Sequence, residues 1–290
     1  MSTSRRPCPL LWPASSASSS SRPGYGPEGP VQEATLIAAA REAGVRHVVK
    51  FSTSGVSFDA TDPLTSGHRA GEQVIQESDL DWTILRPGTF MIYLYGYADS
   101  IGKERTMYVT EGNPVSAMIH PRDIASVAAK VLTTSGHEGQ TYTLTGGEAL
   151  SPQRQGEIIG EALGQKVKVV ERTAAETQAD FDRLGWGGPR LAALLELKRQ
   201  SAAWDWNISD SVQQITGMAP LTLRNWVDEN IHVYDGFDHP ERPPSCPPPL
   251  TTLPLHTATH RPRGTDDRAA SEPDLHTASG IQPVPHSRRG

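Results

Sequence analysis

The middle of the chain alternates between helical patterns and short apolar strands, and this alternation most constrains the fold. Val31–Ala43 has apolar residues at helical spacing and stops before Gly44, a residue type favoured just past a helix end. His47–Phe51 is a β-branched run without polar alternation, which is typical of a strand covered on both faces. A second helix is predicted at Gly67–Gln76 and a second strand at Trp82–Leu85. Helix, strand, helix, strand is the order of an α/β protein with parallel strands.

The second half of the chain continues this order and then becomes mainly helical. Pro121 opens one helix, since its missing N–H costs nothing in a first turn, and Ser151 caps another. The patterns predict helices at Pro121–Leu132, Ser151–Leu163, Thr173–Arg183, Pro189–Ala203 and Leu221–Asn230, and strands at Gln140–Thr145 and Lys166–Val170. The helices that close this series indicate a smaller, helix-rich lobe beside the parallel sheet.

The two flanks differ from the middle in composition. Residues 1–30 are basic and Ser-rich, and residues 236–290 are rich in Pro, His and Arg without any periodicity. Such segments cannot bury enough apolar surface to offset the entropy of ordering, so both are predicted to be disordered.

Charge and cysteine content exclude several classes of function. The chain has 290 residues and a net charge of -6 with scattered basic residues, so no nucleic-acid partner is predicted from charge. Its two cysteines, Cys8 and Cys246, lie in the flanks, which excludes catalytic thiol chemistry in the core and favours a cytoplasmic location. No apolar stretch approaches the ~20 residues that a membrane helix needs, so no membrane partner is predicted.

Several segments occur in an order that characterises one protein family. They are KFSTSG, a helix containing HRAGE, SDLDWTILRPGTFM, HPRDIASVAAKVL, YTLTGGEALS and TGMAPLTLRNWVDEN. Over Val31–Val233 the chain resembles the NmrA-like branch of the atypical short-chain dehydrogenase/reductase superfamily. The resemblance implies an NAD(P)-binding Rossmann-like domain, a small substrate lobe and a small-molecule substrate.

The resemblance also implies that the domain is partial. Residues 31–150 correspond to the later part of the Rossmann-like domain, with 88–118 contributing to the substrate lobe, and residues 151–235 form the C-terminal part of that lobe. The helix at Val31 matches the one after the family's fourth strand, so the first strands are expected to be missing from an N-terminally truncated chain. The strand at 47–51 would then be an exposed edge, open to self-association or to docking of a partner.

A literal Gly-x-Gly-x-x-Gly occurs at Gly24, Gly26 and Gly29, but its context differs from that of a nucleotide fingerprint. The fingerprint requires a buried strand before it and a turn that runs directly into a helix. The preceding Ser-rich run is not a strand pattern, and Pro27 and Pro30 remove two backbone N–H donors that a phosphate would use. We therefore interpret the motif as a flexible linker.

Three hydroxyl residues follow the first predicted strand at its carboxyl end, where such sheets bind ligands. Ser52 and Ser54 are catalytic candidates, because either hydroxyl could bond a substrate carbonyl or the nicotinamide amide. The alternative is that these hydroxyls only satisfy the local backbone. Ser52 and Thr53 are also predicted to contact the cofactor.

A His-x-x-x-Glu pair occupies the next predicted helix. Typical short-chain dehydrogenases carry a Tyr-x-x-x-Lys pair in this helix, and the chain has none. His68 and Glu72 lie on one helix face at i, i+4 spacing, so a His general acid oriented by Glu is one interpretation. The other is a solvated pair on the helix surface. Two ligands without an evident third make a poor metal site, so no metal is predicted.

A turn that contains Pro and Gly follows the second predicted strand. In the family this turn borders the nicotinamide ribose and the substrate, which assigns cofactor contact to Arg86, Pro87, Gly88, Thr89 and Phe90. The alternative for the arginine is an ion pair with Asp123.

An aromatic-rich stretch follows this turn, from Thr89 to Tyr97. It is predicted to form the wall of a substrate pocket through Met91, Tyr93 and Tyr97, although aromatic side chains at this density are as often core.

The resemblance leaves three functions open. The first is an NAD(P)H-dependent oxidoreductase acting on a small carbonyl or quinone-like substrate. The second is a non-catalytic NAD(P)-sensing regulator, and the third is a truncated remnant that binds no nucleotide. Charge-assisted bonds to phosphate are worth ~1.5 to 3 kcal/mol each, so loss of the glycine-rich loop predicts weak or absent binding of NADP or NAD.

Overall fold

The computed structural model describes residues 10–12, 29–110, 112, 114–183, 189–202 and 208–235. The strands are β1 (Leu10–Trp12), β2 (His47–Phe51), β3 (Asp81–Pro87), β4 (Thr106–Thr110), β5 (Gln140–Leu144) and β6 (Lys168–Arg172). The helices are α1 (Gly29–Glu42), α2 (Pro63–Gln76), α3 (Ala98–Glu104), α4 (Pro121–Thr133), α5 (Pro152–Leu163), α6 (Ala174–Arg183), α7 (Pro189–Ser201), α8 (Ser211–Thr216) and α9 (Leu223–Asn230). Short segments of 3-10 helix occupy Ser54–Phe58, Met91–Tyr97 and Ile231–Tyr234.

The main sheet is parallel, with the strand order β1-β2-β3-β5. β2 pairs with β3 from His47 opposite Asp81 to Phe51 opposite Leu85, and β3 continues in register with β5. Because all these strands run in one direction, their carboxyl ends meet at a single edge of the sheet. The α/β class and the parallel sheet predicted from the sequence are confirmed.

Helices cover both faces of this sheet. On one face, Ile37 of α1 and Ile75 of α2 pack with Val48. On the other face, residues of α4 and α8 pack with Val49 and Leu85. Neighbouring residues of β2 therefore enter two different cores, which explains why its sequence lacks polar alternation.

The second lobe has its own core around a two-stranded parallel sheet of β4 and β6. Ile101 of α3, Met107 of β4, Ile159 of α5 and Trp226 of α9 are buried together there, and Tyr234 closes the cluster. The sequence patterns predicted neither α3 nor β4. Both elements are short, and their aromatic and apolar residues have no clear period.

The structure differs from the sequence prediction at the edge of the main sheet. Leu10–Trp12, within the segment predicted to be disordered, forms β1 and runs parallel to β2, with Leu10 opposite Val48 and Trp12 opposite Lys50. The prediction that 47–51 is an unpaired edge is therefore wrong, because three consecutive large apolar residues suffice for a short strand. Residues 1–9, 13–28 and 236–290, also predicted to be disordered, lie outside the described residues.

Helix α2 begins four residues before the predicted Gly67, since its start is fixed by a capping residue. The Asp62 carboxylate accepts a hydrogen bond of 3.0 Å from the Thr65 N–H, and Pro63 occupies the first turn.

Within the described residues, no helix is long and apolar enough to cross a membrane. The same residues contain no cluster of three or more His, Cys, Asp or Glu suited to a metal ion.

Gly146 follows β5 at a point where another part of the backbone comes close. A Cβ at this position would lie 2.0 Å from the Met118 carbonyl oxygen, so the backbone itself would have to move. We expect Gly146→Ala to lower the free energy of unfolding by about 1 to 3 kcal/mol, measured by urea denaturation. At the neighbouring Gly147 the nearest atom would lie 3.8 Å away, and Gly147→Ala should cost less than about 0.5 kcal/mol. Equal losses for the two variants would contradict this prediction.

Candidate functional site

The carboxyl edge of the main sheet brings together most of the residues singled out in the sequence. Ser52, Thr53 and Ser54 follow β2, Arg86 lies near the end of β3, and α2 places Glu72 beside both strands. The Ser52 N–H donates to the Leu85 carbonyl at 2.7 Å, so the pairing of β2 with β3 continues one residue beyond β2.

The Glu72 carboxylate is the centre of this arrangement. It is 2% exposed, and it accepts hydrogen bonds from Arg86 Nε at 3.0 Å and from Arg86 Nη2 at 2.6 Å. The Ser52 hydroxyl donates to the same carboxylate. The alternative partner predicted for Arg86 is wrong, because Asp123 instead accepts the Leu221 N–H at 2.9 Å. A two-point arginine contact is among the stronger ways to hold a buried carboxylate.

Arg86 also connects this site to the next strand. Its Nη1 donates to the Ser57 hydroxyl at 3.3 Å, and that hydroxyl lies 3.2 Å from the Thr143 hydroxyl of β5. The arginine therefore joins the carboxyl ends of β2, β3 and β5 through side chains alone.

A second buried ion pair lies behind the first. Lys50 of β2 is 1% exposed and pairs with Glu33 of α1. Gly71 of α2 provides the space, since a Cβ there would come within 2.9 Å of Glu33 Cγ. The sequence analysis missed this pair, although a lysine inside the apolar run HVVKF is a signal, because a buried lysine requires a partner.

His68 is buried beside these pairs. It is 8% exposed, and burial, with a smaller contribution from the Lys50 ammonium, lowers the pKa of its imidazole to about 3. The side chain is therefore neutral near pH 7, which argues against the predicted general acid. The alternative of a solvated surface pair is wrong, because both His68 and Glu72 are buried.

The three hydroxyl residues after β2 differ in exposure. Ser52 and Ser54 are each 4% exposed, whereas Thr53 between them is half-buried. Thr53 has extended backbone angles, φ -141° and ψ 147°, and its hydroxyl accepts the Gly55 N–H at 3.3 Å. Thr53 is therefore the most accessible of the three.

The turn after β3 uses its backbone to hold the fold together. The Gly88 N–H donates to the Leu144 carbonyl at 2.9 Å, and the Thr89 carbonyl accepts the Ile119 N–H at 2.8 Å. A cofactor contact by Pro87, Gly88 and Thr89 stays a prediction, and these two backbone groups already have protein partners.

Phe51, Phe90 and Tyr93 form a series of rings beside this turn, which we call the aromatic platform. The Phe51 and Phe90 ring centroids lie 5.9 Å apart, and Phe90 and Tyr93 are stacked at 5.6 Å with an interplanar angle of 4°. Tyr93 is 50% exposed. Flat apolar rings in such a position offer a stacking surface to a planar ligand.

The other two residues predicted for the substrate pocket belong to the second lobe. Met91 is 2% exposed within its core, which makes it a packing residue. Tyr97 packs against the same core, and burial raises the pKa of its hydroxyl to about 12. Of the three pocket candidates, Tyr93 is the exposed one.

Basic side chains around this edge already have acidic partners. Lys50 pairs with Glu33 and Arg86 with Glu72, and the Arg69 guanidinium lies 3.6 Å from an Asp59 carboxylate oxygen. The first two pairs hold Lys50 and Arg86 against buried carboxylates. The third is a longer contact to an exposed carboxylate, and Arg69 Nη2 has no hydrogen-bond partner among the described residues.

The flanks of the glycine motif differ from their predicted context. A strand ends at Trp12 and a helix begins at Gly29, so the motif stands between a strand and a helix, although a long interval follows the strand. Gly24 and Gly26 lie outside the described residues. Their interpretation as a linker stays a prediction.

Comparison with known proteins identifies the family. A family model described as NAD(P)H-binding matches residues 14–135. A (4-alkanoyl-5-oxo-2,5-dihydrofuran-3-yl)methyl phosphate reductase of Streptomyces griseus is 32% identical over 201 residues, which are 69% of this chain and 71% of the relative. An NAD(P)H azoreductase of Xenophilus azovorans is 34% identical over 68% of this chain and 69% of its own length.

The chain belongs to the NmrA-like family of NAD(P)H-binding proteins. An oxidoreductase of Aspergillus flavus whose name includes the NmrA-like family domain is 25% identical over 68% of this chain and 66% of its own length. The family resemblance inferred from the sequence is thereby confirmed, and the two relatives above 30% identity are named as reductases.

Solved structures agree with this fold. An NADPH-dependent quinone oxidoreductase of Escherichia coli, solved with NADPH, superimposes with a TM-score of 0.64 at 23% identity, covering 77% of this chain and 76% of the other. A triphenylmethane reductase of Citrobacter sp., solved with NADP(H), gives a TM-score of 0.62 at 22% identity over 77% and 76% of the two chains. At these identities the likeness establishes a Rossmann-like fold.

The neutral state of His68 makes a prediction for stability. Because the pKa of His68 is lower in the folded protein than in the unfolded chain, the unfolded chain binds more protons between about pH 6.5 and pH 3. The free energy of unfolding should therefore decrease as the pH is lowered through this window. His68 contributes at most about 1.4 kcal/mol of this decrease per pH unit. Urea denaturation at about pH 7 and pH 4.5 should show a loss that is smaller in His68→Gln by about 2 to 3 kcal/mol.

Comparing the wild type with His68→Gln separates the contribution of His68 to the pH dependence from that of the other histidines. Burial also lowers the pKa of His47 and of His120, so both contribute with the same sign in wild type and variant. An equal pH dependence of the two proteins would show that His68 titrates normally in the folded state.

Proposed function

We propose that this chain is an NAD(P)H-dependent reductase of planar conjugated carbonyl compounds, among them quinones. The observation that carries the proposal is the aromatic platform beside the hydroxyl residues that follow β2. Both lie at the carboxyl edge of a parallel sheet, which is where doubly wound folds bind nucleotides and their substrates.

The residues at this edge have separate roles that together suit hydride transfer. When bound, NAD(P)H supplies the hydride, and the protein supplies orientation and a local environment. The stacked pair of Phe90 and Tyr93 offers a flat apolar surface. Thr53 offers a hydroxyl next to it. The buried group of Ser52, Glu72 and Arg86 fixes the strand ends that carry both.

The missing Tyr-x-x-x-Lys pair supports a conjugated acceptor. In typical short-chain dehydrogenases this pair handles the proton of an alcohol or an isolated carbonyl. A conjugated acceptor spreads incoming electron density over several atoms, so it depends less on a strong protein acid. Relatives named as an azoreductase and a quinone oxidoreductase are in keeping with a conjugated acceptor.

The platform makes a prediction for substrate selection. Tyr93→Ala removes a stacking ring, and such ring contacts are worth about 0.5 to 1.5 kcal/mol. We expect the KM for a planar quinone to rise about three- to tenfold, measured by NADPH oxidation, whereas Tyr93→Phe keeps the wild-type value. A small aliphatic dicarbonyl should show little change in either variant. A uniform effect on both acceptors would argue against stacking.

Two other outcomes separate this function from its alternatives. Saturable NADPH binding without oxidation by any quinone would favour a non-catalytic sensor. Absence of binding and of oxidation would favour a remnant.

Nucleotide affinity carries a prediction of its own. Because Lys50 and Arg86 are held by buried carboxylates, neither is available to neutralise the phosphates of a dinucleotide. We expect NADPH to bind the purified 290-residue chain with a Kd of about 1 μM or weaker, measured by isothermal titration calorimetry. A tighter Kd would show that a phosphate site exists elsewhere in the chain.

A further inference from the structure

We propose that Thr53, rather than Ser52 or Ser54, is the catalytic residue that donates a hydrogen bond to the carbonyl oxygen of the acceptor. The inference rests on the proposed reductase function and adds the group that stabilises negative charge on that oxygen. It follows from the hydrogen bonds, the exposure and the direction of the hydroxyl side chains after β2.

The Ser52 hydroxyl already donates its hydrogen to a protein acceptor. A hydroxyl carries one hydrogen, and that of Ser52 goes to Glu72, which Arg86 holds from two sides. To donate to a ligand, Ser52 would have to leave a buried carboxylate without one of its donors. Ser52 is also 4% exposed, so little of it can meet a ligand.

The Thr53 hydroxyl keeps its hydrogen. Its oxygen accepts the Gly55 N–H at 3.3 Å, a cap on the 3-10 turn Ser54–Phe58, and accepting a bond leaves the O–H available. Among the described residues no acceptor for that hydrogen is present. The cap also fixes the oxygen in place before any ligand arrives, which is the property that makes a donor effective in catalysis.

The backbone directs Thr53 towards the aromatic platform. The ladder bond from Ser52 N–H to the Leu85 carbonyl and the extended angles of Thr53 continue the strand past Phe51. Side chains alternate along a strand, so Thr53 lies on the same side as Phe51, and Ser52 lies on the opposite side with Glu72. Phe51 contacts Phe90 of the platform.

The reaction that this donor serves needs only NAD(P)H, the acceptor and water. The acceptor gains a hydride from NAD(P)H, the π-electron pair of its C=O bond moves to oxygen, and that oxygen takes a proton from water, which leaves hydroxide. NAD(P)+ is the other product. Thr53 transfers no proton, and its O–H stabilises the charge that grows on the oxygen.

The test compares two variants of Thr53 with two kinds of acceptor. Thr53→Val keeps the β-branched shape and removes the hydroxyl, and Thr53→Ser keeps the hydroxyl. The acceptors are a quinone and a cationic triphenylmethane dye, which accepts hydride on carbon and has no carbonyl oxygen at the reacting centre. Removal of one preorganised donor to a developing oxyanion lowers kcat by about 100- to 1000-fold.

We expect Thr53→Val to lower kcat/KM for the quinone at least about tenfold and to leave kcat/KM for the dye within about threefold of wild type. Thr53→Ser should restore most of the quinone activity. Thr222→Val is the matched control, since Thr222 likewise caps a helix, α9, by accepting the Asn225 N–H at 3.1 Å. It should lose stability through the cap and keep the ratio of quinone to dye activity.

The possible failures are distinct. Wild-type activity with both acceptors, unchanged in Thr53→Val, would overturn the role of Thr53 and leave the reductase function standing. An equal loss for quinone and dye in Thr53→Val would also overturn it, because a donor to carbonyl oxygen has no role with the dye. A wild-type chain that reduces neither acceptor would overturn the proposed function and this inference together.

Discussion

The bonds that converge on the Glu72 carboxylate hold together the carboxyl edge of the main sheet. Ser52 reaches it from β2, Arg86 from β3, and the carboxylate itself comes from α2, so one buried group fixes two strand ends and a helix. Removing a single partner of such a pair leaves an uncompensated charge, which costs far more than replacing the pair by apolar groups. The positions of Thr53 and of the turn after β3 depend on this contact, because both continue from the strand ends that it holds.

The same edge shows how buried charge limits function. Lys50 with Glu33 and Arg86 with Glu72 are charges withdrawn from solvent, and each needs its partner. Their pairing keeps the local charge balanced. The nearby His68 stays neutral mainly because burial lowers the pKa of its imidazole, and repulsion by the Lys50 ammonium adds to this effect. A site built in this way can orient a neutral, flat ligand. Its two buried cations, Lys50 and Arg86, are already paired.

The sequence was sufficient for the features that depend on local pattern. Both central strands, the helix between them and the family resemblance follow from apolar spacing and from motifs such as KFSTSG and WTILRPGTF. The partners of Glu72 could not be predicted, because a helical spacing of four favours His68 whereas the tertiary contact comes from Arg86, fourteen positions away. For the same reason Leu10–Trp12 escaped notice: its strand exists through pairing with β2, and nothing in its own Ser-rich surroundings indicates it.

Three adjacent residues, Ser52, Thr53 and Ser54, thus have different chemistry although they carry the same functional group. Alternate side chains of a strand lie on opposite faces, so Ser52 binds the buried carboxylate while Thr53 lies on the same side as Phe51. Burial adds a second difference. Ser52 is 4% exposed and has little surface for contact with a ligand, whereas the half-buried Thr53, which caps the following turn, is more accessible. Which hydroxyl of such a motif can bind a ligand therefore depends on the direction of each side chain. It also depends on whether the hydroxyl hydrogen is already donated within the protein, as that of Ser52 is to Glu72.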